Sequence, residues 1–209
     1  TILLGNSWYW FYGATYLTQI PQLTQENLHG SENVVSLLLT LFSVGIGLGS
    51  LLCRKIGGSA VNIKMVPFGM LGLTVFAFYL AISLTCIPPM TGERLGIADL
   101  FNHGASYYHV MLSVSLLGIS GGFYIVPLYA MMQAYSPRSH RARVVAANNI
   151  LNAVFMVSSA VFSIIILSVL NIEIHILFCI TAVLSALFSI WLLKRLKPLM
   201  RQTQANLEN

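Results

Sequence analysis

Apolar residues are gathered along this chain into six long runs, at 2–23, 34–53, 65–87, 110–133, 144–170 and 175–193, separated by short polar gaps. Each run holds about 20 residues or more, and a helix rising about 1.5 Å per residue then spans the roughly 30 Å hydrocarbon core of a bilayer. The pattern predicts an all-α membrane protein of six transmembrane helices. The gaps alternate in charge. Arg54, Lys55 and Lys64 follow the second run, Arg138, Arg141 and Arg143 the fourth, and Lys194, Arg195, Lys197 and Arg201 the sixth. The other gaps hold Glu26 and Glu32, then Glu93 and Asp99, then Glu173, with Arg94 as the lone cation among them. Short basic loops stay cytoplasmic, so both ends are expected inside.

The runs differ in kind. The first, GNSWYWFYGATYLTQIPQL, carries Asn6, Tyr9, Tyr16 and Gln19 at three-, four- and seven-residue steps, hence on roughly one helical face, with Tyr12, Thr15 and Gln22 beside it. Polar atoms facing lipid cost free energy unless satisfied, so this face points to a protein interior or a wet cavity. An interfacial aromatic belt explains Trp8 and Trp10 near the cytoplasmic end but not Tyr16 at mid-depth. The second run contains Gly45 and Gly49, and the fourth Gly118 and Gly122, each pair four apart as close helix packing requires. Pro127, with Ser120 and Tyr124 nearby, adds a helix-disturbing residue to the fourth. The fifth opens with Asn148, Asn149 and Asn152, of which Asn148 and Asn152 stack on one face. Interhelical glue and contact with a polar ligand are equally compatible with that spacing. The third and sixth runs are nearly featureless and read as lipid-facing.

Polar, small-rich, plain, then Gly/polar, Asn-rich, plain is the order of a two-fold repeat of three helices. Six helices with both ends inside make half of a twelve-helix transporter plan built from nested inverted repeats, in which the first helix of a triplet lines the cavity, the second faces the other half and the third packs outside. The chain starts at Thr1 and runs directly into an apolar segment, so it reads as the second half of such a protein: residues 1–195 the six-helix unit, 196–209 a cytoplasmic tail or linker.

Composition sharpens the class. Hydrophobic residues make up 56% and charged residues 8% of the chain, far from a soluble domain's roughly one-quarter charge. The net charge of +5 sits in juxtamembrane gaps, where topology and anionic headgroups account for it, and nucleic-acid binding is not expected. Cys53, Cys86 and Cys179 have no paired spacing, and His29, His103, His109, His140 and His175 lie mostly in loops or at span ends, so no disulfide framework, metal or cofactor is expected. No Asp, Glu, Lys or Arg lies deep in a run, which places any ion coupling elsewhere. No filter-like loop or charge ring suggests a channel.

Two stretches, LFSVGIGLGSLLCRKIGGSAVNIKMVPFGMLGL and GGFYIVPLYAMMQAYSPRSHRARVVAANNILNAVFMVSSA, resemble the carboxy-terminal half of the bacterial lysophospholipid transporters of the major facilitator superfamily. The phrase RVVAANNILNAVFMV is most similar to members fused to a phospholipid acyltransferase and an acyl-carrier-protein ligase. The resemblance covers nearly the whole chain and is weak at 88–109 and in the last helix. It implies half of a major facilitator fold that flips lysophospholipids, chiefly lysophosphatidylethanolamine, across the bacterial inner membrane for re-acylation. Asn6, Tyr9, Tyr16, Gln19 and Tyr124 are the expected cavity wall, with Asn148, Asn149 and Asn152 at the seam between halves. Expected partners are the bilayer, the lysophospholipid, an amino-terminal six-helix half and a fused or associated acyltransferase. The superfamily's acidic loop signature between the second and third helices is degraded: Gly49 and Arg54 have counterparts, but Cys53 stands where an acid is usual. No catalytic constellation is present; the HxxxxD element of the acyltransferase fails at both His103, with Tyr108 five residues on, and His140, with Val145 five residues on. Rival readings are a generic drug or small-solute carrier of the same superfamily and a membrane anchor for a fused acyltransferase.

Overall fold

A computed structural model describes residues 1–57, 64–90 and 92–205, with side chains described to residue 198. The helices in chain order are α1 (Ile2–Gln22), α2 (Glu32–Gly57), α3 (Met65–Thr85), the short α4 (Ile97–Asn102), α5 (Ala105–Ala134), α6 (Arg141–Ile164) and α7 (Ile174–Ala205). Five helical segments are long and apolar enough to cross a membrane: Glu32–Gly57, Met65–Thr85, Ala105–Ala134, Arg138–Val169 and Ile174–Pro198. The remaining expected span, α1, is 21 residues long but too polar to meet that measure. Its polar groups face protein instead. From Gly5 to Tyr16 every residue except Trp8 and Trp10 is buried, so the polar helix is an interior one.

The helices pair reciprocally. α1 lies along α6, as Asn6 meets Asn148 and Phe11 meets Phe162, and both run in the same direction. α2 lies along α5 in the same way, Gly45 against Ser115 and Gly118, then Gly49 against Ile119. The first helix of each triplet therefore packs on the second helix of the other. α3 packs antiparallel on α5, with the backbone of Tyr124 against Gly69 and Ser120 against Gly72, and also lies against α7.

The two glycine pairs read from sequence meet each other. A Cβ at Gly45 would stand 2.6 Å from the Ser115 carbonyl, and a methyl on Gly49, Gly118 or Gly122 would collide with the facing backbone. Only glycine allows this approach, whose attraction comes from many short dispersion contacts rather than from expulsion of water.

α1 and α6 also end alike. Each widens into a π-helical turn, Leu23–Asn27 and Ile165–Val169, and stops at a left-handed residue, His29 (φ 52°) and Asn171 (φ 49°). Leu28 and Gly30 N–H donate to Leu23 and Thr24 carbonyls, as Leu170 and Ile172 donate to Ile165 and Ile166. The freed carbonyls of both helix ends are satisfied by the same pair of bonds. After α1 the chain is pinned further: Ser31 N–H donates to Leu95 O (2.9 Å) and Leu95 N–H to His29 O (2.8 Å), an isolated parallel bridge joining the α1–α2 and α3–α4 loops.

The outer surfaces are apolar. α3 exposes Phe68, Leu71, Val75 and Ile82, and α7 exposes Ile176, Val183, Leu187 and Ile190, stripes suited to lipid tails. Each helix buries its opposite face, so neither of these featureless spans is wholly lipid-facing. α6 leaves Ile150, Val154, Val157, Val161 and Ile164 uncovered. α7 continues as helix through Pro198 to Ala205, so the expected tail from 196 begins as an extension of the last helix.

Candidate functional site

A cleft of about 570 Å³ opens between α1, α2, α5 and α6. Tyr9, Trp10, Gly13, Ala14 and Leu17 supply one side, Phe42 and Ile46 a second, and Ile125, Val126, Tyr129 and Met156 the rest. The wall is almost wholly hydrocarbon and aromatic, as expected of a site that takes an apolar group. Gly121 lets Tyr9 lie flat in it, since a Cβ there would stand 2.6 Å from the Tyr9 hydroxyl.

At the end of the cleft nearest the α1 N-terminus, polar groups converge on Tyr129. Trp10 Nε1 donates to the Tyr129 hydroxyl at 3.2 Å, and Asn148 Nδ2 reaches it at 3.4 Å. Asn152 is satisfied at both ends of its amide when Nδ2 donates to Asn148 O and Ser7 Oγ, each at 3.1 Å. Its oxygen then accepts from Trp10 Nε1 (2.9 Å), Asn148 Nδ2 (3.0 Å) and the Tyr129 hydroxyl (3.2 Å). Behind this layer Asn6 Nδ2 donates to Asn148 Oδ1 at 3.1 Å. The Asn6 Oδ1 atom is buried without a hydrogen-bond partner among the described residues. The cluster is polar, uncharged and shared by three helices.

The expected wall residues divide among several places. Tyr9 lines the cleft. Tyr124 packs beside it, ring centroids 5.9 Å apart, but is buried and donates its hydroxyl to Gly5 O at 2.8 Å, so it ties α5 to α1 instead of facing the opening. Tyr16 is turned toward α7, stacked on Phe178 at 4.6 Å with its hydroxyl 3.3 Å from Phe178 O. Tyr12 similarly reaches Leu73 O of α3 at 2.7 Å. Gln19 is buried with its amide 3.4 Å from Thr18 Oγ1, outside the cleft lining. Asn6, expected on the wall, and Asn148 and Asn152, expected at the seam between halves, come together in the cluster inside the bundle, where their amides find partners across α1, α5 and α6. Asn149 is exposed and separate from them. Sequence reasoning missed Ser7 and Tyr129 and assigned Trp10 to an interfacial belt. Tyr129 in LYAMMQ has Gln133 one turn on but no polar stripe like that of α1, so only tertiary structure identifies it as the hub.

Within the described residues no group of three His, Cys, Asp or Glu side chains is arranged to hold a metal ion. Neither the curated proteins nor the solved structures contain a match. The profile of the Major Facilitator Superfamily matches residues 2–207. With multi-pass apolar helices around an uncharged cleft, the chain belongs to the major facilitator superfamily of transmembrane transporters.

Proposed function

We propose that the chain is the carboxy-terminal six-helix half of a lysophospholipid transporter, with α1 as its first span. It moves lysophosphatidylethanolamine across the bacterial inner membrane for re-acylation, by rocking against an amino-terminal half. The observation that carries this reading is the amphipathic character of the cleft: hydrocarbon along most of its wall, with the uncharged Trp10–Tyr129–Asn152 cluster at one end. An acyl chain matches the wall. A zwitterionic headgroup matches hydrogen-bonding groups and aromatic faces better than a buried full charge, and an ammonium over Tyr9 or Trp10 contributes about 0.5–2 kcal/mol. The uncovered apolar face of α6 suits contact with the other half or with lipid. A fused acyltransferase would act on the delivered product, and this segment itself serves as transporter.

A generic carrier of apolar solutes is the second reading, favoured by how little of the cleft wall is polar. Uptake separates the two. The full-length protein in sealed vesicles should carry labelled lysophosphatidylethanolamine inward, and Tyr129→Phe with Asn152→Ala should reduce that rate severalfold at equal expression. Uptake equal to that of protein-free vesicles would sink the lysophospholipid reading and leave a carrier of another solute or an anchor.

A further inference from the structure

A second concavity lies at the opposite end of the bundle. Gln25, Ser31, Glu32, Asn33 and Arg94 line a cleft of about 540 Å³ whose surface is mainly polar, unlike the hydrocarbon wall of the central one. It is held by backbone, not by its charges. The bridge between Gly30 and Leu95 fixes Ser31 next to Arg94, and the imidazole Nε2 of His29 lies 3.0 Å from Gly92 O across the same junction.

The charges inside it are unspent. Glu32 and Arg94 are of opposite sign, face one cavity and form no ion pair among the described residues, where the single acid–base contact is His175 with Glu173. The neighbouring Glu26 is already engaged by Gln22, at 2.9 Å, and does not compete for Arg94. Ser31 Oγ is buried and has no hydrogen-bond partner among the described residues, although a buried hydroxyl without one costs roughly 1–3 kcal/mol. Arg94 is also the lone cation on this side of the chain, so its position owes nothing to the basic bias of the cytoplasmic loops. A carboxylate and a guanidinium around one opening, with the unpartnered hydroxyl buried beside them, present partners for a ligand bearing both signs of charge.

We infer that this outer cleft binds a zwitterionic aminophosphate headgroup, with its ammonium on Glu32 and its phosphate on Arg94. The chemistry is that of charge-assisted hydrogen bonding, in which Arg94 suits a phosphate through its planar fork of donors. Naming the ligand as a phospholipid headgroup rests on the lysophospholipid reading of the central cleft; the two-signed recognition does not. Gln25 lies roughly 12 Å beyond Leu17 along the α1 direction at about 1.5 Å per residue, so the outer cleft would be a loading station ahead of the central one.

The test is binding by the full-length protein in phosphatidylglycerol nanodiscs. Its probes are lysophosphatidylethanolamine, lysophosphatidylglycerol, which lacks the ammonium, and tail-less glycerophosphoethanolamine. Wild-type protein should prefer the ethanolamine lipid by about tenfold, the worth of one charge-assisted bond. Glu32→Gln should erase the preference while retaining phosphate binding, and Arg94→Gln should weaken both lipids together. Both side chains are exposed, so neither variant threatens folding. Tight glycerophosphoethanolamine binding would make the ligand a soluble diester; binding only with a tail would make it a membrane lipid; either supports the site. Affinity and preference unchanged in both variants would overturn it. Vesicle uptake decides the other reading independently: a wild-type protein that shows the headgroup preference but no uptake keeps the outer site and loses the transport of lysophospholipid.

Discussion

Gly49 of α2 rests against the carbonyl of Ile119 in α5 with no space for a methyl group between them. Gly45, Gly118 and Gly122 extend the same contact, so the two helices are joined backbone to backbone along this seam. Gly49→Ala should therefore destabilise the fold by about 1–3 kcal/mol, the usual cost of overpacking. Gly47, two residues away, has nothing within 4 Å of its would-be Cβ. Gly47→Ala should be neutral, or stabilising by up to about 1 kcal/mol through helix propensity. Unfolding in detergent micelles separates the two, and equal behaviour would show that this seam does not hold the bundle.

The helix α6 offers a comparable contrast. Asn152 is buried and satisfies Trp10, Ser7 and Tyr129, whereas Asn149 is exposed. Asn152→Ala strands several polar atoms and should cost about 1–2 kcal/mol, since interhelical bonds in membranes contribute near 1 kcal/mol each. Asn149→Ala should fall within about 0.5 kcal/mol of wild type. Thermal denaturation of the purified full-length variants is the check, and a larger loss at Asn149 would place the polar cluster elsewhere.

These contrasts show what the sequence makes legible. Gly45/Gly49 and Gly118/Gly122 can be read as packing motifs because close backbone approach has one residue solution, whichever helix is opposite. That Asn148 and Asn152 share a face follows from spacing alone; that the face meets Asn6 and Ser7 does not. The tyrosines of α1 show the limit. Tyr9 and Tyr16 are seven residues apart and lie on one helical stripe, yet Tyr9 borders the cleft while Tyr16 is covered by Phe178 of α7. Periodicity identifies a polar face but not which neighbour covers it at each depth. The interior position of α1 likewise depends on contacts, because hydropathy counts the Asn6 Nδ2 group and the hydroxyls of Ser7 and Tyr12 as costs when bonds to Asn148, Leu3 and Leu73 already satisfy them.

Sidedness can be read from native cysteines. Cys86 is exposed at the end of α3 opposite the basic loops, whereas Cys53 is buried beside Arg54. Lys/Arg bias assigns Cys86 to the outside. A membrane-impermeant maleimide added to intact cells should modify Cys86, and Cys86→Ser should remove most of the label. Labelling that appears only after the membrane is opened would invert the topology.

The hydroxyl of Tyr9 has no hydrogen-bond partner among the described residues and borders the cleft, unlike those of Tyr12, Tyr16 and Tyr124, which are engaged by backbone carbonyls. It is therefore free to meet a ligand without breaking a structural bond. Tyr9→Phe should leave the melting temperature unchanged and weaken substrate binding about two- to tenfold, the worth of one hydrogen bond. Gly121→Ala reaches the same group from the other side, since its methyl needs the space the phenol occupies. It should push the Tyr9 ring into the cleft and slow transport more than Tyr9→Phe does. The Gly121→Ala/Tyr9→Ala double variant tests the route: with the ring gone, adding Gly121→Ala to Tyr9→Ala should lower the melting temperature no further, because the methyl then has room. Binding unaffected by Tyr9→Phe, together with a Gly121→Ala defect that persists when the ring is gone, would exclude Tyr9 from the substrate path.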